Sequence, residues 1–340
     1  MAPSAEILHT GKLPLELLQR LLADYTGTDE RLVAGPRVGE DVAVVDMGDR
    51  YMVIKTDPIT FVTDEIGWYA VHVNANDIAT SGATPRWMLA AILLPEATTT
   101  PAMVEAIFAQ LHGACADLGI ILVGGHTEVT YGLNRPIVVG VMVGEVAREQ
   151  LLTTAGARVG DRVLLVKGVP IEATAIIAHE KADDLRRRGY DAAFIERAQG
   201  FLRDPGISVV GPAQVAARHA GTHAMHDPTE GGLATGLHEL ALAAGAGLRL
   251  DADRVPILPE GQRLCDEYGL DPLGAIASGA LIVAVDPTTS EALIEAYRRS
   301  AVPCADIGEL VPASEGITMV CGTTRCPLPR FDSDEITRIF

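Results

Sequence analysis

The apolar residues of this chain arrive in short blocks, each closed by a glycine, a proline or an acidic cluster. VAVV, YMVI, TPRWMLAAILLP, IILV, RPIVVGVMVGEV, DRVLLVKG, THAMHD, LRLDADRVPI and ALIVAV read as strands, being rich in β-branched and aliphatic residues between turn signals. Segments with helical spacing stand between them: GKLPLELLQRLL, residues 65–81, residues 101–118, EATAIIAHEKADDLRRR, VVGPAQVAARHA, LATGLHELALAAGAG and EGQRLCDEYG. GEDVAVVDMGDRYMVIKTD carries a Gly-Asp turn between two strands and predicts a hairpin. The rhythm runs through the chain twice. It predicts an α+β protein of two mixed α/β domains, residues 1–150 and 151–340, divided near AREQLLTTAGARVGD, where turn residues replace any strong period. CGTTRCPLP reads as a late loop.

Composition narrows the function. Hydrophobic residues make up 48% of the chain but aromatics only 4%, so Ala, Val, Leu and Ile must fill the core. A net charge of −18 repels nucleic-acid phosphates and anionic lipid surfaces, which argues against both as partners. No apolar run approaches the roughly 18–20 residues of a membrane span. MAPSAEILHTGKLPLELL lacks the blocks of a signal peptide, so the cytoplasm is the expected compartment. The five cysteines, Cys115, Cys265, Cys304, Cys321 and Cys326, are odd in number and form no CxxC pair, as reduced, incidental thiols would.

Five polar stretches stand at element ends: Gly39-Glu40-Asp41, Lys55-Thr56-Asp57, Asn76-Asp77, the Gly124-Gly125-His126-Thr127-Glu128 end of IILVGGHTEVT, and HDPTEGG at 226–232. Caps and turns would account for each alone. Asp77 is harder to dismiss, because it lies in an amphipathic segment beside Val73, Ile78 and Ala79, where a carboxylate is costly unless paired or metal-bound. Carboxylates gathered without matching Lys or Arg need a cation, and an oxygen-rich set favours Mg²⁺. The glycine pairs 124–125 and 231–232 let backbone N–H groups approach a phosphate, with Lys55 or Lys167 assisting. His126 and His226 read as neutral hydrogen-bonding residues. There is no GxxxxGK[ST] loop, no GxGxxG opening a helix and no GxSxG elbow. A triphosphate site here would be dominated by carboxylates.

GEDVAVV, KTD, VNANDIATSGATP, LVGGHTEVT, KGVPIEATAIIA and HDPTEGGLATGLHELA occur in that order. Together, over residues 35–315, they resemble the ATP-binding superfamily of aminoimidazole ribonucleotide (AIR) synthetase, PurM. That superfamily also includes thiamine-monophosphate kinase, selenophosphate synthetase and the hydrogenase-maturation protein HypE, which the second half resembles most. The resemblance implies a homodimer whose N-terminal strands share a barrel, with ATP near the interface. It implies Mg²⁺ ligands at Asp41, Asp77, Glu128 and Asp227, and a catalytic set of Asp77, Asp227 and Glu128. ATP contacts would come from Lys55, Asp57, Asn76, Gly124, Gly125, Thr127, Lys167, Thr229, Gly231 and Gly232. The implied chemistry is phosphoryl transfer from ATP to an amide, carbonyl or comparable group of a small-molecule or protein-borne acceptor. The setting would be hydrogenase or metallocofactor maturation beside a partner protein. A thiamine-phosphate-type kinase and a non-catalytic nucleotide-binding partner are the alternatives. Three positions depart from HypE: the terminal carrier cysteine, where this chain reads TRIF; His126, where Asp is usual; and Glu230, where Arg is usual.

Overall fold

Each half of the chain builds one mixed sheet. A computed structural model describes residues 13–35, 39–60 and 62–340, together with Leu8. In the first half, β1 (Leu32–Ala34), β2 (Ala43–Asp46), β3 (Tyr51–Ile59), β4 (Thr84–Pro95), β5 (Ile121–Thr130) and β6 (Ile137–Val146) lie in the order β1-β2-β3-β6-β4-β5. All neighbours are antiparallel except β4 and β5. The first three helices are α1 (Leu15–Tyr25), α2 (Ile66–Thr80) and α3 (Pro101–Leu118). α3 starts where the Thr100 hydroxyl accepts the Met103 N–H at 3.2 Å and stops at Gly119 in the left-handed region.

α2 departs from the amphipathic helix expected of it. Nearly every residue from Ile66 to Thr80 is buried, because the helix lies between its own sheet, α3 and elements of the second half. Glycines on β6 permit the close approach: a Cβ on Gly140 would sit 2.4 Å from Asn74 Nδ2, and one on Gly144 2.4 Å from Ile78 Cγ2. A polar group on α2 therefore has little access to bulk water, which is what makes Asp77, 3% exposed, informative.

The second sheet orders its strands β13-β12-β9-β11-β7-β10-β8. They are β7 (Arg162–Val166), β8 (Thr222–His226), β9 (Gly247–Asp251), β10 (Leu281–Val285), β11 (Cys304–Val311), β12 (Ile317–Cys321) and β13 (Thr324–Pro327). Its helices are α4 (Ile171–Glu180), α5 (Ala182–Arg187), α6 (Ala192–Gly200), α7 (Val210–Ala217), α8 (Gly232–Ala243), α9 (Pro259–Tyr268) and α10 (Ser290–Arg299). Two local expectations are corrected. EATAIIAHEKADDLRRR breaks at Lys181 into α4 and α5, and CGTTRCPLP belongs to the β12–β13 hairpin, where Cys321 pairs with Thr324. No helix among the described residues is long and apolar enough to cross a membrane.

Candidate functional site

The first half delivers its charges from three elements. Lys55 and Asp57, two apart on β3, share a face of the strand. Asp77 rises from α2, and Asp41 stands just before β2. The second half contributes Asp227, the residue after β8, at the mouth of the turn leading into α8. Asp41, Asp77 and Asp227 each present a carboxylate oxygen within 4.8 Å of the others. Asp77 and Asp227 are buried and Asp41 half-buried.

The expectation that no basic group matches these carboxylates is corrected. Lys55 Nζ lies 3.0 Å from Asp77 Oδ2 and 3.6 Å from Asp57 Oδ2. His226 is clamped between Asp41 (Nδ1 to Oδ2, 2.9 Å) and Glu239 (Nε2 to Oε2, 2.9 Å). Burial would lower the pKa of His226, but Asp41 and Glu239 outweigh it and raise it well above the usual histidine value. His226 is thus an imidazolium that orients Asp41, not the neutral residue the sequence suggested. Lys55 follows the same logic: burial opposes its charge, and Asp77, Asp57 and Asp41 more than restore it.

Even so, among the described residues at this site the acids Asp41, Asp57, Asp77, Asp227 and Glu239 stand beside the cations Lys55 and His226. Burial, then the Asp41 charge, push Asp227 up to about 7. Burial raises Asp77 as well; Lys55 opposes that, while Asp227, Asp41 and Asp57 add to it. Neither buried oxygen of Asp227 meets an N–H or hydroxyl donor of the backbone or of a neutral side chain among the described residues, and its side-chain hydrogen-bond neighbour is the Asp77 carboxyl. Buried carboxylate oxygens rarely stay unpartnered unless a cation or water completes them. A hard divalent ion suits this set: three carboxylates at mutual ligand distance, two oxygens without such a donor, and no sulfur donor among them.

Other residues expected at the site lie elsewhere within the single chain. IILVGGHTEVT does not turn at its glycines but runs straight as the outer strand β5, paired to β4 as far as Thr130. It is exposed rather than buried. Thr127 faces solvent there, and Glu128 is bonded, among the described residues, to His126 at 3.2 Å and is not one of the clustered carboxylates. Gly125 serves strand pairing, since a Cβ there would meet the Ala90 carbonyl oxygen at 2.0 Å; a Cβ on Gly124 meets nothing. Lys167 Nζ donates to the Gly206 and Ser208 carbonyls, both at 2.7 Å. The Asn76 amide donates to Ile207 O and accepts from Val209 N–H, both at 2.8 Å, tying α2 to the second half.

The N–H groups of the two glycines in the HDPTEGG turn are likewise already bonded within the protein. Thr229 O accepts the N–H of Gly232 at 3.0 Å, and Asp334 Oδ2 accepts that of Gly231 at 2.7 Å. Asp334, which the sequence reading missed, also takes the N–H groups of Ile276 and Ile336. Burial raises its carboxyl to about 6, against the pull of these N–H bonds. Glu239 was missed as well. Its one visible signal is its place on the helix that follows HDPTEGG, and Asp334 has none, since only the folded chain brings it back to that turn.

Comparison with known proteins shows where this arrangement recurs. The signature of the AIR synthase related protein, N-terminal domain, matches residues 39–146, and that of the AIR synthase related protein, C-terminal domain, residues 158–320. The carbamoyl dehydratase HypE of Cupriavidus necator is 32% identical over 273 residues, covering 77% of this chain and 73% of that protein. A chain of a crystallised HypE–HypF complex has a TM-score of 0.76 at 21% identity, covering 93% of this chain and 99% of its own. HypE crystallised with ATP gives 0.71 at 22% identity, covering 93% and 95%. At these identities the structural likenesses establish the fold.

Proposed function

The chain belongs to the AIR synthase related protein family, and from that premise we propose that it is an ATP- and Mg²⁺-dependent enzyme of HypE-like type. It activates an amide, carbonyl or comparable acceptor by phosphoryl transfer, in the maturation of a hydrogenase or another metallocofactor. The observation that carries this reading is the meeting of Asp41, Asp77 and Asp227, with both Asp227 oxygens buried and met by no N–H or neutral hydroxyl donor among the described residues. These three residues would hold the metal, and His226 fixes the rotamer of Asp41. Bound there, Mg²⁺ supplies charge to offset that on the phosphates and on the transferring group. Lys55 sits beside Asp77 and Asp57 as the nearest fixed cation for a phosphate oxygen. The acceptor is a small molecule or is carried on a partner protein, and the five free cysteines suit a cytoplasmic setting.

Thermal unfolding tests the reading. ATP with Mg²⁺ raises Tm strongly, by an amount equivalent to about 2.7 kcal/mol at a hundredfold excess over Kd. ATP with EDTA raising Tm equally would remove the metal from the account. The effect depends on pH. Asp227, at about 7, must lose its proton to coordinate, so metal affinity is full above that pH and falls below it. The loss approaches about 1.4 kcal/mol per pH unit. The Mg·ATP shift is therefore larger at pH 8 than at pH 6, and equal shifts would show that Asp227 is not a ligand.

The homodimer belongs to the same proposal. Among the described residues β5 is an unpaired sheet edge, and Ile121, Val123, Val129 and Tyr131 along it and just beyond are each more than half exposed. An apolar edge of this kind is a template for a second chain. Pairing through it would carry Thr127 and Glu128 to the partner's nucleotide. Val123→Lys combined with Val129→Lys is expected to convert a dimer to a monomer by light scattering, and to weaken ATP binding with it. A wild-type protein that elutes as a monomer would end this part.

A further inference from the structure

Four consecutive residues, Gly206 to Val209, run between the halves of the chain and are gripped from both sides. From the first half, the Asn76 amide donates to the Ile207 carbonyl and accepts the Val209 N–H, both at 2.8 Å. From the second half, Lys167 Nζ donates to the Gly206 and Ser208 carbonyls, both at 2.7 Å. The two side chains thus take alternate residues of one segment. Asn76 is fully buried, so water does not compete for its bonds, and they fix a register that packing alone leaves looser. Asn74, two residues earlier on α2, stays within the first half, donating to Ala70 O and Asp57 O.

The gripped segment leads into α7, which packs on both α2 and β8. Asp77 follows Asn76 on α2, and Asp227 follows β8. Asn76 therefore refers one clustered carboxylate to the domain that carries another. Ions differ in what they ask of such a span. Mg²⁺ requires near-octahedral oxygens at about 2.0–2.1 Å, whereas Ca²⁺ accepts oxygens at about 2.3–2.6 Å in flexible geometry. A site assembled from two halves keeps the tighter spacing only while the halves keep their register. We propose that Asn76 is a positioning residue that sets the span between Asp77 and Asp227, and with it the preference of the site for Mg²⁺ over Ca²⁺. Its amide is engaged by Ile207 and Val209, so it acts through Asp77 rather than by ligation. This inference rests on the metal reading of the three aspartates.

Displacement of protein-bound Mn²⁺ by Mg²⁺ or by Ca²⁺, followed by electron paramagnetic resonance, tests it. The wild-type protein should prefer Mg²⁺, and equal displacement by the two ions would already overturn the proposal. In Asn76→Leu, similar in size but unable to make either bond, the Mg²⁺ affinity should fall about tenfold or more relative to that for Ca²⁺. Arg203→Ala is the control. It removes an exposed ion pair that also joins the halves, Arg203 to Glu65 at 2.7 Å, and should leave the ratio unchanged. If Asn76→Leu fails to fold, Lys167→Met, which frees the same segment from the other side, should lower the ratio in its place. An unchanged ratio in the variant that folds, or an equal fall in Arg203→Ala, would overturn the proposal and leave Asn76 as a structural tie. Wild-type protein that captures no Mn²⁺ removes the metal reading and this inference together. Wild-type capture with an unchanged ratio in Asn76→Leu removes this inference alone.

Discussion

Asp77→Asn is expected to weaken Mg²⁺-dependent ATP binding by about a hundredfold or more, near 2.7 kcal/mol. Loss of a residue that only supports a ligand costs about 10–100-fold, and loss of a ligand should cost at least as much. Asn keeps the shape of Asp77 on the buried face of α2 but removes the charge that Asp41 and Asp227 share with it. Stability should move far less. Burial raises the Asp77 pKa and so makes its charge costly, but the buried Lys55 ammonium, 3.0 Å away, leans on that same charge. Without Mg²⁺ the variant should melt near the wild-type temperature, while the Mg·ATP shift disappears. Calorimetry and thermal melts on the same samples read both. Intact ATP affinity in a folded Asp77→Asn would take the centre out of the site.

Lys55→Met should have the opposite character. Lys55 is largely buried and is the cation closest to Asp77 and Asp57. Without it, Asp41, Asp57, Asp77 and Asp227 lose the ammonium that pairs with Asp77 and Asp57, while the imidazolium of His226 stays on Asp41. Removing one member of a buried charge set costs about 3–5 kcal/mol, because the remaining charges are left uncompensated. The expected result is a loss of that size in denaturant unfolding without divalent ions. Mg²⁺ should return part of it by supplying the missing charge. A variant as stable as the wild type, or one indifferent to Mg²⁺, would show that these carboxylates are less coupled than their distances suggest.

The sequence exposed the elements better than their environments. Periodicity located α2, β3, β6 and β10, because each is long or regular enough to repeat its pattern. It misjudged α2 as amphipathic, since a helix buried by two domains looks the same locally as one buried by a single sheet. It read Gly124-Gly125 as backbone open to a phosphate, where the pair is strand backbone and Gly125 is pressed against Ala90 of β4. Within the site, Asp77 was legible because a carboxylate among apolar helix residues is costly without a partner, and Asp41 and Asp227 through the ordered motifs that carry the resemblance. The roles of Asn76, Lys167, Gly231, Asp334 and Glu239 were not, since each depends on a contact between residues distant in the chain.

Electron paramagnetic resonance of Mn²⁺, used in place of Mg²⁺, tests the central claim most directly. Titrating the protein alone into dilute Mn²⁺ should remove the free-ion signal at a defined stoichiometry, and Asp227→Asn should leave that signal in place. Mn²⁺ that stays free beside the wild-type protein, or that is captured equally by the variant, would contradict a metal held by Asp41, Asp77 and Asp227.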